Sequence, residues 1–307
     1  MKIPIARSGL LVLVLATVYL LWVFPRPAVM PIGTQSIVER PDGTKIVSYA
    51  SGDGPYILLL ASLGRSVSDF NEIIPALNEA GYRTLAVQSR GVGRSTMGHQ
   101  DAKLTLFDLA DDVRAALMAD NPSDKNNIII IGHAFGNRVA RAYAKRYSES
   151  VQSIVLIASG GTQKLRRDQR VTQALLHSFA WWLPPPIRKR AIHFAFFTNA
   201  HKVPDSWMRG WYARGARLQI KAVVTTPVSL WRDGGGCAPI FILQGAQDRV
   251  APAALTSARL KRDFPQRVRI VTIDQAGHAL LPEQPTRIAK EIIWFAAQKG
   301  AVMCGRP

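Results

Sequence analysis

The chain alternates short apolar runs with amphipathic segments, and this alternation predicts its architecture. After one such run, apolar residues recur at helical spacing at Ile73, Ile74, Leu77 and Ala80. Parallel strands buried on both faces form nearly continuous apolar runs, and helices connect them. We therefore predict an α/β fold with a doubly wound, mostly parallel sheet. The predicted strands lie at residues 36–40, 45–49, 56–60, 83–87, 128–131, 151–158, 239–243 and 268–273, and the predicted helices at residues 70–80, 105–118, 137–147, 253–262 and 285–299.

This alternation of predicted strands and helices is interrupted between about residues 160 and 235. The segment is rich in aromatic, proline and basic residues, and it holds Trp181, Trp182, Trp207, Trp211 and Trp231. We predict that it forms a helical cap inserted between two core strands of a single domain that covers residues 31–307. The tryptophans would roof an apolar pocket or rest on anionic lipid headgroups, and both interpretations favour an apolar small-molecule substrate or ligand.

The N-terminal segment differs from the rest. Residues 8–24 carry no charge, Lys2 and Arg7 precede them, and a helix of this length spans about 25 Å. We predict a transmembrane helix within residues 1–30 that serves as a signal-anchor. Lys2 and Arg7 favour a cytoplasmic N-terminus. The protein would then be a single-pass protein of a bacterial inner membrane with a periplasmic domain. A cleaved signal peptide, giving a secreted or periplasmic protein, is the alternative.

Charge adds one inference about partners. The formal net charge is +18 at pH 7, which indicates anionic partners. No nucleic-acid-binding motif accompanies this charge, so we expect an anionic membrane and no nucleic acid. The six histidines show no ligand spacing, so we expect neither a metal nor a cofactor. Cys237 and Cys304 form no disulfide framework, and we do not expect them to pair, although a single bridge stays open.

The most informative motif is Gly132-His133-Ala134-Phe135-Gly136, directly after a run of four isoleucines. A strand that ends in Gly-x-Ser-x-Gly and leads into a helix places a serine nucleophile on a sharp turn. Here the nucleophile position holds Ala134, whose methyl group cannot attack a carbonyl. The alanine at this position is either natural or an engineered replacement of serine, and the sequence favours a natural alanine.

Together with this turn, four further motifs occur in a characteristic order: Ser62-Leu63-Gly64; Arg90-Gly91-Val92-Gly93-Arg94-Ser95; Gln244-Gly245-Ala246-Gln247-Asp248; and Gly277-His278-Ala279. With them the chain resembles the α/β-hydrolase superfamily from about residue 35 to residue 300. The resemblance implies that His278 is the catalytic base and Asp248 its acid partner. It also implies an oxyanion hole made by the backbone N–H groups of Phe135 and Leu63. Departures from the family pattern are Ala134, Ser62-Leu63 in place of His-Gly, and Gln88 in place of an aspartate.

Without a serine, three hypotheses remain. In the first, His278 acts as a general base on water or on the substrate, so that the protein hydrolyses an ester or related acyl bond. In the second, the site is a non-catalytic pocket for an apolar or anionic, lipid-like ligand. In the third, Ser62, Ser66 or His133 attacks instead. We expect Ser62, His133, Trp181 and Trp182 to contact the ligand.

For some polar residues we expect a structural role or an exposed position. Asp248 could merely cap the helix that follows it. We expect Arg90 and Asp111 to serve the scaffold, and Asp112 to lie on the solvent face of its helix.

Overall fold

The computed structural model describes residues 5–24, 26–99, 103–121, 127–160 and 168–298, apart from the side chains of residues 5–11. Its centre is an eight-stranded sheet with the order β1-β2-β4-β3-β5-β6-β7-β8. The first two strands pair antiparallel, β2 also pairs antiparallel with β4, and every other pairing is parallel. The mostly parallel sheet is confirmed. The strands are β1 (Thr34–Glu39), β2 (Lys45–Ser51), β3 (Tyr56–Leu60), β4 (Arg83–Val87), β5 (Ile128–His133), β6 (Val151–Ile157), β7 (Ile240–Gly245) and β8 (Val268–Ile273).

Helices cover both faces of the sheet. The α-helices are α1 (Ile5–Val23), α2 (Ile74–Glu79), α3 (Leu106–Asp120), α4 (Gly136–Arg146), α5 (Gln169–Phe179), α6 (Pro185–Phe196), α7 (Asp205–Met208), α8 (Ala213–Thr225), α9 (Ser257–Asp263), α10 (Leu280–Glu283) and α11 (Pro285–Ala297). Consecutive strand residues point to opposite faces. Accordingly, Leu58 belongs to a core with Leu109 of α3, and Leu59 to a second core with Ile288 of α11. The chain is therefore wound on both sides of the sheet.

One predicted helix is shorter than the sequence pattern indicated. Residues Val67–Phe70 form a 3₁₀ helix, and α2 begins only at Ile74 with Pro75 in its first turn. Proline lacks an N–H group and suits the first helical position, so it sets this late start. The segment predicted as a helix at residues 253–262 likewise begins with a 3₁₀ turn, Ala253–Leu255, before α9.

The prediction that Asp112 faces solvent is wrong. Asp112 is buried, and it accepts hydrogen bonds from Nε and Nη2 of Arg90 and from Nε of Arg40. Burial raises the pKa of Asp112, and the two arginines partly oppose this rise. Arg90 also pairs with Asp42, so its scaffold role agrees with the sequence expectation. The periodicity of α3 could not reveal a carboxylate whose partners lie on distant loops.

The N-terminal helix α1 leads into a linker that packs on the body. Val23 is buried, the Tyr19 hydroxyl donates to the carbonyl of Trp182, and the ring of Phe24 meets Trp181 edge-on. Among the residues that the structure describes, no helix has both the length and the apolarity that a bilayer span requires. The transmembrane segment therefore stays a prediction, and Lys2 lies outside the described residues.

Four helices, α5 to α8, lie between β6 and β7. They have an apolar core of their own that includes Ile192, Phe197 and Trp207, and it also takes in Val250 and Ala279 from the body. We call residues 168–235 the cap. Just beyond it, Cys237 is disulfide-bonded, contrary to the expectation of no bridge. The chain's other cysteine, Cys304, lies outside the described residues.

Candidate active site

The turn after β5 keeps a strained backbone although it carries no nucleophile. Ala134 has a φ of 48°, in the left-handed region, and its N–H donates to the carbonyl of Ile157 at 2.9 Å. A Cβ on Gly132 would collide with the backbone of Gly136, and a Cβ on Gly136 would collide with the backbone of Leu60. These two glycines therefore permit the close approach of strand and helix. Non-glycine residues at positive φ cost about 1–2 kcal/mol, and such strain concentrates at functional sites.

Two backbone donors are available beside Ala134. The N–H groups of Phe135 and Leu63 have no hydrogen-bond partner among the described residues, and both residues line the cavity next to Ala134. An oxyanion hole requires such pre-oriented, unpaired donors. The arrangement can therefore stabilise negative charge on a substrate oxygen.

His278 and Asp248 form a hydrogen-bonded pair. Nδ1 of His278 lies 2.9 Å from Oδ2 of Asp248, whose Oδ1 accepts from the N–H groups of Val250 and Ala251 at 2.9 and 2.7 Å. Burial by itself would raise the pKa of Asp248, but His278 and these two N–H groups more than offset it, and the pKa lies below its usual range. An ionised Asp248 fixes the proton of His278 on Nδ1. The lone pair on Nε2 is then free to accept a proton, as in a general base.

His133 does not contact the cavity, contrary to the expectation. It is fully buried, its ring centre lies 5.6 Å from that of His278, and its Nε2 donates to the carbonyl of His278 at 2.9 Å. Burial, together with the neighbouring His278, lowers the pKa of His133 to about 3, so the ring is neutral. The ring therefore supports the backbone of His278 from within the protein and cannot reach a substrate.

The other residues predicted to contact the ligand do not all lie at the same pocket. Ser62 lines the cavity with His278, whereas Ser66 is buried and bonds to the N–H of Ser68 and to Gln88. Trp181 and Trp182 line a separate surface groove on the cap. The cavity has a volume of about 130 Å³ and is lined by Ser62, Leu63, Arg65, Ala134, Phe135, Arg138, Ala158, Gly160, Leu175, Phe179, Phe196, Trp207, Trp211, Val250, Ala251 and His278.

The cap holds the oxyanion loop, residues 62–66, from above. Arg65 in this loop is buried and pairs with Asp69 through two hydrogen bonds of 3.0 and 2.5 Å. Its guanidinium carbon lies 4.7 Å from the ring centres of both Trp207 and Trp211. On the neighbouring residue, the N–H of Gly64 donates to Oε1 of Gln219 in α8 at 2.7 Å. The position of Leu63 therefore depends on cap residues.

The loop that carries His278 is also bound to the cap. Oε2 of Glu283 accepts from the N–H of Gly277 at 2.6 Å, and Oε1 accepts from the N–H of Thr198 at the end of α6 at 2.7 Å. Burial raises the pKa of Glu283, and the bonds from Thr198 and Gly277 partly oppose this. The N–H of Ala279 also donates to the carbonyl of Phe196. Glu283 thus ties the loop that carries His278 to the cap.

No local sequence pattern marks Arg65, Gln219 or Glu283 as a site residue. Gly64 and Gln219 lie 155 residues apart in the chain, and Thr198 and Glu283 lie 85 apart.

Comparison with known proteins supports the fold described above. A family model described as the alpha/beta hydrolase fold matches residues 55–285. The putative carbamate hydrolase RutD of Variovorax paradoxus is 34% identical over 109 residues, which cover 36% of this chain and 40% of that protein. Epoxide hydrolase B of Mycobacterium tuberculosis is 29% identical over 120 residues, covering 38% of this chain and 33% of that protein. The matched region thus spans well under two thirds of the length of either relative.

Solved structures share the fold. A putative aryl esterase from Burkholderia cenocepacia superposes with a TM-score of 0.67 at 21% sequence identity, covering 86% of this chain and 98% of that one. At this identity the likeness shows a common fold and nothing about substrate.

Proposed function

The chain belongs to the α/β-hydrolase fold family, and from this premise we propose that it is a hydrolase in which His278 and Asp248 activate water directly. The observation that carries the proposal is the 2.9 Å contact between Nδ1 of His278 and Oδ2 of Asp248, with His278 facing a cavity that Leu63 and Phe135 also line. The alternative is a binding protein without turnover.

The proposed reaction is direct attack of water on an ester or related acyl bond, through a tetrahedral intermediate. Nε2 of His278 takes a proton from water as the water oxygen bonds to the acyl carbon. The carbonyl oxygen becomes an oxyanion that accepts hydrogen bonds from the N–H groups of Leu63 and Phe135. When the intermediate collapses, the bond to the leaving group breaks and His278 returns the proton to that group. The methyl group of Ala134 leaves the space that water needs, and no acyl-enzyme forms.

The cavity walls support an apolar substrate. Five of the residues that line the cavity carry phenyl or indole rings: Phe135, Phe179, Phe196, Trp207 and Trp211. A volume of about 130 Å³ is small for a ligand site, since such sites usually measure ~300–1,000 Å³. We infer that only the reacting end of the substrate, such as a short acyl group, enters the cavity.

We further propose that residues 1–30 anchor the protein in a membrane, with the folded domain on the periplasmic side. The uncharged run at residues 8–24 and the basic Lys2 and Arg7 support this orientation. The disulfide at Cys237 is a second support, because disulfides persist in oxidising compartments such as the periplasm. An anionic membrane surface is the proposed partner of the basic cap.

Hydrolysis of p-nitrophenyl acetate and butyrate by the full chain tests the catalytic proposal, with wild type compared with His278→Ala and Asp248→Asn. We expect turnover by wild type and a loss of about 10²-fold or more in each variant, because one removes the base and the other its orienting charge. The matched control is His201→Ala, which changes a cap histidine outside the cavity. No turnover by wild type, together with a higher melting temperature in the presence of a non-hydrolysable apolar analogue, would favour the binding protein.

A further inference from the structure

A surface groove on the cap carries features that the proposed hydrolysis does not use. It has a volume of about 680 Å³, within the usual range of ligand sites. We call it the tryptophan groove; its walls include Leu176, Phe179, Trp181, Trp182 and Trp211, and its basic residues are Arg214 and Arg217.

The walls of the tryptophan groove expose a large apolar area. Leu176 is 68% exposed and Trp182 is 57% exposed, although both side chains are hydrophobic. Contiguous apolar surface of this kind marks interaction sites in soluble domains. The end of α1 lies beside it, because Tyr19 donates to the carbonyl of Trp182 and Phe24 contacts Trp181.

The basic side chains of the groove form no ion pair with any residue that the structure describes. Arg214 and Arg217 lie three residues apart on α8, so their side chains share one face of the helix. Neither forms an ion pair within the described part of the chain, and no acidic residue of that part lines the groove. Two unpaired guanidiniums beside an aliphatic and aromatic wall complement a ligand with an anionic group on an apolar chain.

We propose that the tryptophan groove binds an anionic amphiphile. Its hydrocarbon chain lies on Leu176, Trp181 and Trp182, and its carboxylate or phosphate group pairs with Arg214 and Arg217. Phe179 and Trp211 line both this groove and the catalytic cavity, and their ring centres lie 5.0 Å apart. The groove therefore holds the part of the substrate that the small cavity cannot take; this last step rests on the proposed hydrolase function.

Binding is measured by titration calorimetry with the full chain in phosphatidylcholine nanodiscs. Decanoate is the probe, decanol tests the chain without the charge, and inorganic phosphate tests an anion without the chain. We expect saturable binding of decanoate alone. Arg214→Gln/Arg217→Gln should weaken it about 5- to 10-fold, as expected for two partly exposed charge pairs. The control Arg170→Gln/Lys202→Gln removes the same charge from exposed cap positions outside the groove and should bind like wild type.

A second pair of variants tests the apolar wall. Leu176→Ser should weaken decanoate binding several-fold, whereas Val224→Ser, at an exposed position outside the groove, should not. Equal binding by Arg214→Gln/Arg217→Gln and its control would overturn the proposal, as would saturable phosphate binding of similar strength.

These experiments distinguish failure of the proposed binding site from failure of the proposed hydrolase function. His278→Ala should abolish ester hydrolysis and leave decanoate binding unchanged, because His278 does not line the groove. If no form of the protein hydrolyses esters while decanoate still binds through Arg214 and Arg217, the hydrolase proposal fails and the binding site stands. If hydrolysis is normal and the KM for p-nitrophenyl decanoate is the same in wild type and Leu176→Ser, the groove is not part of the substrate site.

Discussion

Arg65 on the oxyanion loop and Trp211 on the cap are joined through both backbone and side chain. The two residues form an isolated antiparallel β-bridge, and the guanidinium of Arg65 stacks 4.7 Å from the ring centre of Trp211. Nη1 of Arg65 also donates to the carbonyl of Arg209 at 2.5 Å. Since Arg65 lies two residues after Leu63, the cap helps to set the position of a proposed oxyanion donor.

Substitution of Arg65 should therefore affect both stability and catalysis. Arg65→Lys keeps the charge but loses the paired hydrogen bonds to Asp69 and the planar stacking. We expect the free energy of unfolding to fall by about 1–3 kcal/mol, since lysine keeps the positive charge but leaves buried acceptors on Asp69 and the carbonyl of Arg209 without their hydrogen bonds. We also expect kcat to fall about 10-fold or more. Urea denaturation and ester hydrolysis measure the two effects.

The control for this prediction is Arg287→Lys, which alters a surface pair with Glu291 on α11. Such pairs contribute only about 0–1 kcal/mol. A similar loss of stability in the two variants would refute the special role of Arg65.

A second prediction concerns acid. The pKa of His133 is lowered to about 3 in the folded protein, whereas an unfolded histidine titrates near 6.5. Between these values the unfolded chain binds the extra proton, so stability is fully present above about pH 6.5 and is lost as the pH falls toward 3. His133→Gln keeps a donor for the carbonyl of His278 and should remove this dependence. From pH 6.5 to 5, wild type should lose about 2 kcal/mol more than the variant in urea titrations. Parallel pH profiles would show that His133 is not the neutral group described.

A third prediction concerns Arg141, which binds Gly160 after β6 and Arg232 near the C-terminal end of the cap. Its guanidinium donates to the carbonyl of Gly160 at 2.7 Å and to that of Arg232 at 3.3 Å, and it stacks on Trp231. Burial, together with neighbouring cations, lowers the pKa of Arg141 to about 9. Arg141→Met should leave these carbonyls unpaired, lower the free energy of unfolding by about 2–4 kcal/mol, and speed proteolysis within the cap.

Lys145→Met provides the comparison on the same helix. Lys145 is partly exposed and pairs with Asp233 at the surface. We expect its loss to change stability by less than about 1 kcal/mol. If proteases cleave the cap as fast in Lys145→Met as in Arg141→Met, the loss of any positive charge on α4 would explain the faster cleavage, and the contacts of Arg141 would not be needed.

A fourth prediction tests the strain at Ala134. Glycine adopts a φ of 48° without penalty, so Ala134→Gly should raise the free energy of unfolding by up to about 1 kcal/mol after the entropy cost of glycine is subtracted. Ala142→Gly, within α4, should instead lower it by about 1 kcal/mol or more, because it removes a buried methyl group from a helix. Equal destabilisation by both changes would mean that the turn is unstrained.

The fold and much of the site follow from local sequence patterns. The turn around Ala134 and the loops that carry Asp248 and His278 each follow a predicted strand closely and contain at least one glycine. Parallel strands place such loops at one edge of the sheet, so their meeting could be expected. The capping box of Thr105 and Asp108 is a local contact of the same kind, because both residues lie within one turn of the start of α3.

What the sequence could not show depends on contacts between distant segments. The burial of His133 depends on where the loop of His278 lies, and the partners of Asp112 come from the loops of Arg40 and Arg90. The hydrogen bond from the N–H of Gly64 to Gln219 forms only when the cap is folded. Helical or strand periodicity carries no information on such pairs.

The central claim is that His278 drives hydrolysis at a turn that cannot form an acyl-enzyme. Stopped-flow hydrolysis of p-nitrophenyl butyrate, followed by intact-mass measurement of the quenched protein, tests it most directly. We expect wild type to turn over without an initial burst and to carry no added acyl mass, whereas Ala134→Ser should show a burst and gain one butyryl group. An acylated wild-type protein, or turnover that survives in His278→Ala, would contradict it.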